Sequence, residues 1–531
     1  MDQAVARRAN WRAVLRSVLP PPGGRVAALL RHFKARLWVV AALSIAIGVY
    51  VYYISAGGLP YWPVYGTYHD EQANGFLAGH TYLPIEPPAA LVHANDPYDR
   101  VNIRYWALDL SYYRGKYYMY WGPTPALLQA LGKAVLGVHR IVGDQYIGFF
   151  SVCLACLAGA LIIERMGRRL FPAVSRPLLF VAVLAFAFAN PMLHAVTTAS
   201  TYNTAILSAQ AWLLCGLLFA FDVVWHAGTR ADRRWRLVVA GLCWSLSLAS
   251  RVTVLPTVAV LIGLTALAAG WVVERRWRRI FSNSLWLGIP VAVTGAALLA
   301  YNKLRFDDWL EFGLALQLSG YPRLQFASEY WLPNLYAYSL RPFVTHCQFP
   351  YFFQVWLMPR GAFPDGFSIP PGYMINEPVI GWLRAVPITW LGAFAFWLVP
   401  RPLGLRLRHS RLYLWCFFSF GAVALLTGLT AMGVYGATMR YLSDVTPGLV
   451  LFGLLGAFAL RSSRFGQLAP RSTNVLFGVL ASATIVLGLL IGYQGYAGHF
   501  YKYNPKLDAQ LADALSVCGS GTRPPLPRFN P

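Results

Sequence analysis

Runs of about 20 apolar residues alternate along this chain with short basic clusters and with two long stretches rich in aromatic and polar residues. A bilayer core about 30 Å thick is crossed by about 20 helical residues rising 1.5 Å each. Runs that meet or approach this length lie near 37–55, 145–163, 177–196, 204–225, 237–249, 253–273, 283–301, 380–399, 411–432, 445–460 and 474–493. The pattern predicts an all-α polytopic membrane protein with about 11 transmembrane helices. Between 237 and 273 a single helix would extend about 55 Å, too far for one crossing. Two short spans turning near Ser250-Arg251 are expected instead, because one crossing would put Arg275–Arg279 on the opposite side from every other basic cluster.

Those clusters set the orientation. Arg165, Arg168, Arg169 and Arg176; Arg230, Arg233, Arg234 and Arg236; Arg275, Arg276, Arg278 and Arg279; and Arg401, Arg406, Arg408 and Arg411 occupy successive connections. The positive-inside rule assigns them to the cytoplasm. The expected layout is a basic cytoplasmic segment 1–36, a transmembrane domain 37–493 and an extracytoplasmic tail 494–531. Loops 56–144 and 302–379 then lie outside, with a short turn at 433–444. This layout puts 27 Lys+Arg and four Asp+Glu inside, against 11 and 13 in the two outer loops. The net charge of +24 is therefore topological and does not call for nucleic acid.

Composition agrees with a membrane chain, since 57% of the 531 residues are apolar and 12% charged, against about 25% charged in soluble domains. Five of the seven cysteines lie inside apolar runs, and no Cys/His spacing makes a zinc site. The basic stretch before the first run is too long for the n-region of a signal peptide, so that run is read as an anchor. The few cytoplasmic acids stand beside arginines, and no GxxxxGK[ST] loop is present, which argues against cytoplasmic nucleotide chemistry. Two similar halves with broken helices, the mark of many ion-coupled carriers, are not found.

Function is expected in the carboxylate-rich outer loops. The first opens with Tyr68-His69-Asp70-Glu71-Gln72-Ala73-Asn74-Gly75-Phe76-Leu77-Ala78-Gly79, a short polar helix candidate. It continues through Asp109-Leu110-Ser111-Tyr112-Tyr113-Arg114-Gly115-Lys116-Tyr117-Tyr118-Met119-Tyr120-Trp121-Gly122-Pro123-Thr124-Pro125. The acidic pair followed by an FLxG element, together with "YNKLRFDDWLEFG" at 301–313 and "MRYLSDVTP" at 439–447, resembles the GT-C superfold of membrane glycosyltransferases. The sequence lacks the Arg-Asp-Glu start of the better-known subfamilies, and its acidic pair stands farther from the first span. The resemblance implies a polyprenyl-phosphate sugar donor, a glycan or lipid acceptor, and a multi-pass protein of the bacterial inner membrane working on its outer face.

Transfer from a lipid phosphate with inversion needs a carboxylate to take the acceptor's proton and a cation or metal to stabilise the departing phosphate. Asp70 is the expected base, with Glu71 as orienting residue, metal ligand or substitute; the alternative is helix capping from Thr67 to Asp70. Asp109 is expected at the acceptor or at a metal, or else in a turn. Tyr112, Tyr113, Tyr117 and Tyr120 are expected to give a groove some of its lining, or to form an interfacial belt. Lys116, Arg251, Arg440 and its neighbour Tyr441 are the substrate-phosphate candidates. For Arg251 the alternative is snorkelling to headgroups, and for Arg440 an ion pair with Asp444 four residues on. No metal ligand set is assigned, although a divalent cation fits the chemistry. Asp308 and Glu311 have capping spacing, and Cys347 and Cys518, the two outer cysteines, are expected to pair. A non-catalytic carrier or flippase for lipid-linked saccharides is the other functional reading, and a structural membrane scaffold is a third.

Overall fold

The computed structural model describes residues 22–225, 229–274, 277–319, 326–353, 363–364, 367–373, 378–397, 407–495 and 498–518. Residues 1–21, Arg275, Arg276, Arg401, Arg406, much of 354–377 and the end of the tail lie outside the described residues.

Helices dominate. Among the described residues, eight are long and apolar enough to cross a membrane. They belong to α1 (Pro22–Ile54), α4 (Gln145–Leu170), α7 (Thr201–Trp225), α9 (Leu255–Glu274), α10 (Trp277–Phe306), α12 (Leu407–Met432), α13 (Met439–Ser462) and α14 (Pro470–Gln494). The other three predicted runs take different forms. The 177–196 run is interrupted at Asn190-Pro191 into α5 (Arg176–Phe188) and α6 (Met192–Thr197), as expected where proline removes a backbone donor. The 237–249 run is the apolar end of α8 (Arg230–Leu248), whose first turns are charged. The 380–399 run becomes a short helical segment that starts at Pro387 and ends in α11 (Ala393–Trp397).

Burial ranks these helices. In the most apolar windows of α7 and α13, 89% and 83% of residues are buried, against 17% in α10. α7 and α13 are thus central, while α10 shows most of its surface outward. The α7–α8 contact is close because Gly216 leaves room for the Trp244 indole; a Cβ there would sit 2.2 Å from Trp244 Nε1. That Nε1 donates to Leu213 O at 3.3 Å.

Long segments cover one end of the bundle, called here the loop face. In the first, α2 (Tyr68–Leu77) and an antiparallel hairpin of β1 (Ser111–Tyr113) and β2 (Lys116–Tyr118) pack on a small core, and α3 (Thr124–Leu136) packs against α2 through Ala73, Ala126 and Ala130. Leu316 and Leu318 of the second segment join this hairpin through Tyr112 N to Leu316 O and Leu318 N to Leu110 O, both 2.9 Å. Asp308 and Glu311 do not cap a helix; they accept from Leu310 N and Gly313 N within a turn.

The tail returns to the same face as α15 (His499–Tyr503) and α16 (Pro505–Leu515). His499 Nε2 lies 2.9 Å from Tyr53 O, and Asn504 Nδ2 donates to Ala56 O at 2.9 Å, so the tail grips the end of α1. Cys347 and Cys518 are joined, as the sequence predicts, across a separation of 171 residues. Peptide mapping of unreduced protein should recover this pair. Cys518→Ser should cost about 2–5 kcal/mol of stability, read by thermal unfolding; an unchanged melting curve would deny the bridge a structural role.

Candidate functional site at the loop face

The site is built around the first turn of α7, where Thr201 and Tyr202 stand between two side-chain groups. On one side lies α2. Asp70 is fully buried and forms an ion pair with Lys133 of α3, Nζ to Oδ1 at 2.5 Å. Its Oδ2 accepts backbone N–H groups from Val142 and from Gly143, the latter at 2.8 Å. Thr67 makes no side-chain cap, so Asp70 acts by tertiary bonding and not by capping α2. Asp144 repeats the arrangement, accepting from Asp70 N at 3.1 Å and from Thr201 Oγ1 at 2.9 Å. His69 Nε2 lies 3.1 Å from Thr201 O. Burial pushes the Asp144 carboxyl up and the His69 imidazole down, each opposed by the other's charge.

Glu71 differs from its neighbour. It is half-buried and, among the described residues, has no hydrogen-bonding or ionic partner. Burial raises its pKa, and the charges of Asp70 and Asp144 add to the rise against the opposing pull of Lys133. One helical turn separates Glu71 from Tyr68, so the two share a face. The Tyr68 hydroxyl donates to Leu108 O at 3.0 Å, and burial together with Asp109 and Asp144 pushes its pKa up to about 12. Tyr68 therefore connects the α2 group to Asp109.

The second group collects five of the predicted residues: Asp109, Tyr120, Arg251, Arg440 and Tyr441. Asp109 Oδ1 accepts from Gln317 Nε2 at 3.2 Å, and its carboxylate is bonded to Tyr202, which in turn bonds Tyr120. Arg440 lies over the Tyr202 ring at 4.2 Å and over Tyr441 at 5.9 Å. Arg251 lies over Trp121 at 5.4 Å and Tyr441 at 5.9 Å. Arg251 is buried, and its partner is Asp444, so this carboxylate belongs to Arg251 and not to Arg440 four residues before it. Arg251 Nε remains buried without an acceptor.

Gly122 makes the Trp121 contact possible. A Cβ at this position would stand 2.0 Å from Ala249 O. The following Thr124 is tied to the same turn by its N to Ala249 O and its Oγ1 to Leu246 O, both 3.1 Å. The predicted turn at Ser250-Arg251 is thus held against the first outer loop.

An apolar groove of about 380 Å³ is lined in part by residues that flank Arg251 along the chain. Leu248, Val252 and Leu255 line its start, and it continues between α9 and α10 along Gly288, Val291, Gly295 and Leu299. Its α10 wall is about 16 Å long at 1.5 Å per residue.

The remaining predicted residues stand elsewhere. Tyr112 and Tyr117 are buried in the core of the first loop. The Tyr113 ring packs on Phe306, and Lys116 lies over Tyr82 at 4.8 Å on the exposed side of the hairpin. His346 stands beside the Cys347–Cys518 bridge, whose sulfurs are bonded to each other.

Sequence reasoning missed Lys133, Asp144, Tyr202 and the role of Asp444. Lys133 carried a signal. It shares a face of α3 with buried Ala126, Gln129 and Ala130, while Leu127, Leu131 and Val135 point outward.

Comparison with solved structures finds similarity to the oligosaccharyltransferase of Archaeoglobus fulgidus in its apo form, at 13% identity and a TM-score of 0.47, covering 92% of this chain and 57% of that one. The archaeal oligosaccharyltransferase AglB from Archaeoglobus fulgidus, in complex with an inhibitory peptide and a dolichol-phosphate, matches at 13% identity and 0.45, covering 88% and 56%. ArnT from Cupriavidus metallidurans, bound to undecaprenyl phosphate, matches at 15% and 0.45, covering 90% and 80%. This chain spans less than two thirds of the length of the archaeal proteins. No protein-family model and no curated protein matches the sequence.

A buried charge left without its partner costs about 3–5 kcal/mol. Lys133→Met should destabilise the protein on that scale, and Asp70→Asn added to it should cost less than the two single effects summed. A strictly additive double-mutant cycle in thermal or denaturant unfolding would contradict the pairing.

Proposed function

We propose that the protein is a membrane glycosyltransferase that moves a sugar from a polyprenyl-phosphate carrier to an acceptor hydroxyl at the loop face, with inversion. The observation that carries this reading is an apolar groove whose lining residues Leu248, Val252 and Leu255 flank Arg251 in the chain, together with the group of Arg251, Arg440 and Asp109 and its aromatic neighbours Tyr120, Trp121, Tyr202 and Tyr441. A lipid-linked sugar phosphate has matching parts in that order: an apolar chain, an anion and a sugar. Each chain CH₂ buried in the groove contributes about 0.8 kcal/mol.

In the proposed mechanism Arg251, oriented by Asp444, and Arg440 hold the donor phosphate. Aromatic faces such as Trp121 suit the apolar side of a sugar ring. Glu71 takes the acceptor proton, because Asp70 is committed to Lys133 while the Glu71 carboxylate has no hydrogen-bonding or ionic partner among the described residues. The acceptor oxygen bonds to the anomeric carbon from the face opposite the phosphate. The carbon–oxygen bond to phosphate breaks with its electron pair on the leaving oxygen, and the proton ends on Glu71. Asp109 orients the acceptor. Negative charge growing on the phosphate is met by the two guanidiniums, and no step is routed through a metal.

Purified protein with a panel of polyprenyl-phosphate sugars and a membrane-extract acceptor tests the proposal. Transfer is expected, and Glu71→Gln should lower it at least about 100-fold, the low end of general-base effects, with donor binding retained. Donor binding without transfer by the wild type across the panel would instead favour the carrier or flippase. Since the Glu71 pKa is raised, activity should fall on acidification at a pH above the ordinary glutamate range. Loss only within that ordinary range would remove Glu71 from the base role.

A further inference from the structure

The end of the bundle opposite the loop face carries a second organised group of charges. Arg165 and Arg169 of α4 place Nη1 atoms 2.7 and 2.8 Å from the two oxygens of Asp222 on α7, and Arg236 Nη1 of α8 lies 3.3 Å away. Beside them Glu164 is shared by Arg36 at 3.2 Å and Arg168 at 2.7 Å. Five guanidiniums thus meet two carboxylates, which leaves three positive charges uncompensated. The side chains of Arg165, Arg169 and Arg236 are 21%, 29% and 26% exposed, so water reaches them only in part.

Arginines on this face follow from the topology alone, but their convergence does not. Solvated arginines repel one another and spread. These three are drawn to a single carboxylate, and Arg236 Nε is buried with no acceptor among the described residues. Tryptophans border the group: Arg169 lies over Trp225 at 5.6 Å, Arg236 over Trp235 at 5.2 Å and Arg234 over Trp286 at 5.6 Å. Tryptophan is enriched at the level of lipid headgroups, and planar guanidiniums are matched to phosphate oxygens. Along α7 Asp222 lies about 32 Å from Thr201, so the group is separate from the loop-face residues.

We propose that Arg165, Arg169 and Arg236 form a binding site for a phosphodiester, occupied by the headgroup of an anionic phospholipid between α4, α7 and α8. Asp222 acts as an internal counter-anion that keeps the guanidiniums together and limits their affinity. Basic pockets between spanning helices are suited to such headgroups. The site does not depend on whether the loop face transfers sugar.

The full chain in detergent is titrated with phosphatidylglycerol, phosphatidylcholine or inorganic phosphate, and bound lipid is counted by native mass spectrometry alongside thermal unfolding. Phosphatidylglycerol should remain bound and raise the unfolding temperature, with phosphatidylcholine and inorganic phosphate much weaker. Arg236→Gln should lower its affinity about tenfold, the loss of one charge-assisted hydrogen bond. Asp222→Asn removes the competing carboxylate and should raise that affinity at least a few-fold, even if the variant is less stable. A residue with only a packing role gives no such gain. Equal binding of both lipids, a full response to inorganic phosphate alone, or unaltered phosphatidylglycerol affinity in Arg236→Gln would each overturn the proposal.

Discussion

The loop face depends on one buried ion pair. Asp70 and Lys133 meet at 2.5 Å with side-chain exposures of 0% and 3%, on two helices 63 residues apart. Two charges taken out of water cost several kcal/mol each unless every lone pair is used. Here the second carboxylate oxygen is used by Val142 and Gly143, which lead directly into α4. One side chain therefore joins α2, α3 and the start of a spanning helix. Asp144 then continues the connection to Thr201 at the head of α7.

This arrangement separates two adjacent acids by task. Asp70 has its oxygens filled, and Glu71, turned about 100° away on the same helix, keeps its carboxylate available and harder to ionise. A second buried pair, Arg251 with Asp444, does for α8, α9 and α13 what Asp70 does for the loop. It holds a buried guanidinium next in the chain to Val252 of the groove, with one N–H donor unused among the described residues. Gly122 brings Trp121 up to that guanidinium by removing the atom that would strike Ala249 O.

Much of the fold was legible because its signal is local. Apolar length and arginine clusters identify the eight long spans, and even the turn at Ser250-Arg251 follows from keeping basic clusters on one side. Apolar length alone makes 177–196 a single span, whereas the helix breaks at Asn190-Pro191. The site was legible only in part. Arg251, Arg440, Tyr441 and Asp109 stand out as polar groups in apolar or aromatic surroundings, and they do converge. Tyr112, Tyr113 and Lys116 lie in the same motif but take alternating sides of a short hairpin, so proximity in sequence says little about shared surface. Lys133 and Asp444 find their partners 63 and 193 residues away, a pairing no spacing rule reveals.

The proposed transfer requires a polyprenyl chain in the groove lined by Leu248, Val252 and Leu255, with its phosphate toward Arg251. A polyprenyl phosphate bearing a photoreactive diazirine in its first isoprene unit, crosslinked to the protein in membranes and mapped by mass spectrometry, tests this directly. The account predicts labelling of Leu248, Val252, Leu255 or the facing residues of α10, suppressed by unlabelled polyprenyl phosphate. Labelling confined to other helices, or equal labelling in its presence, would contradict it.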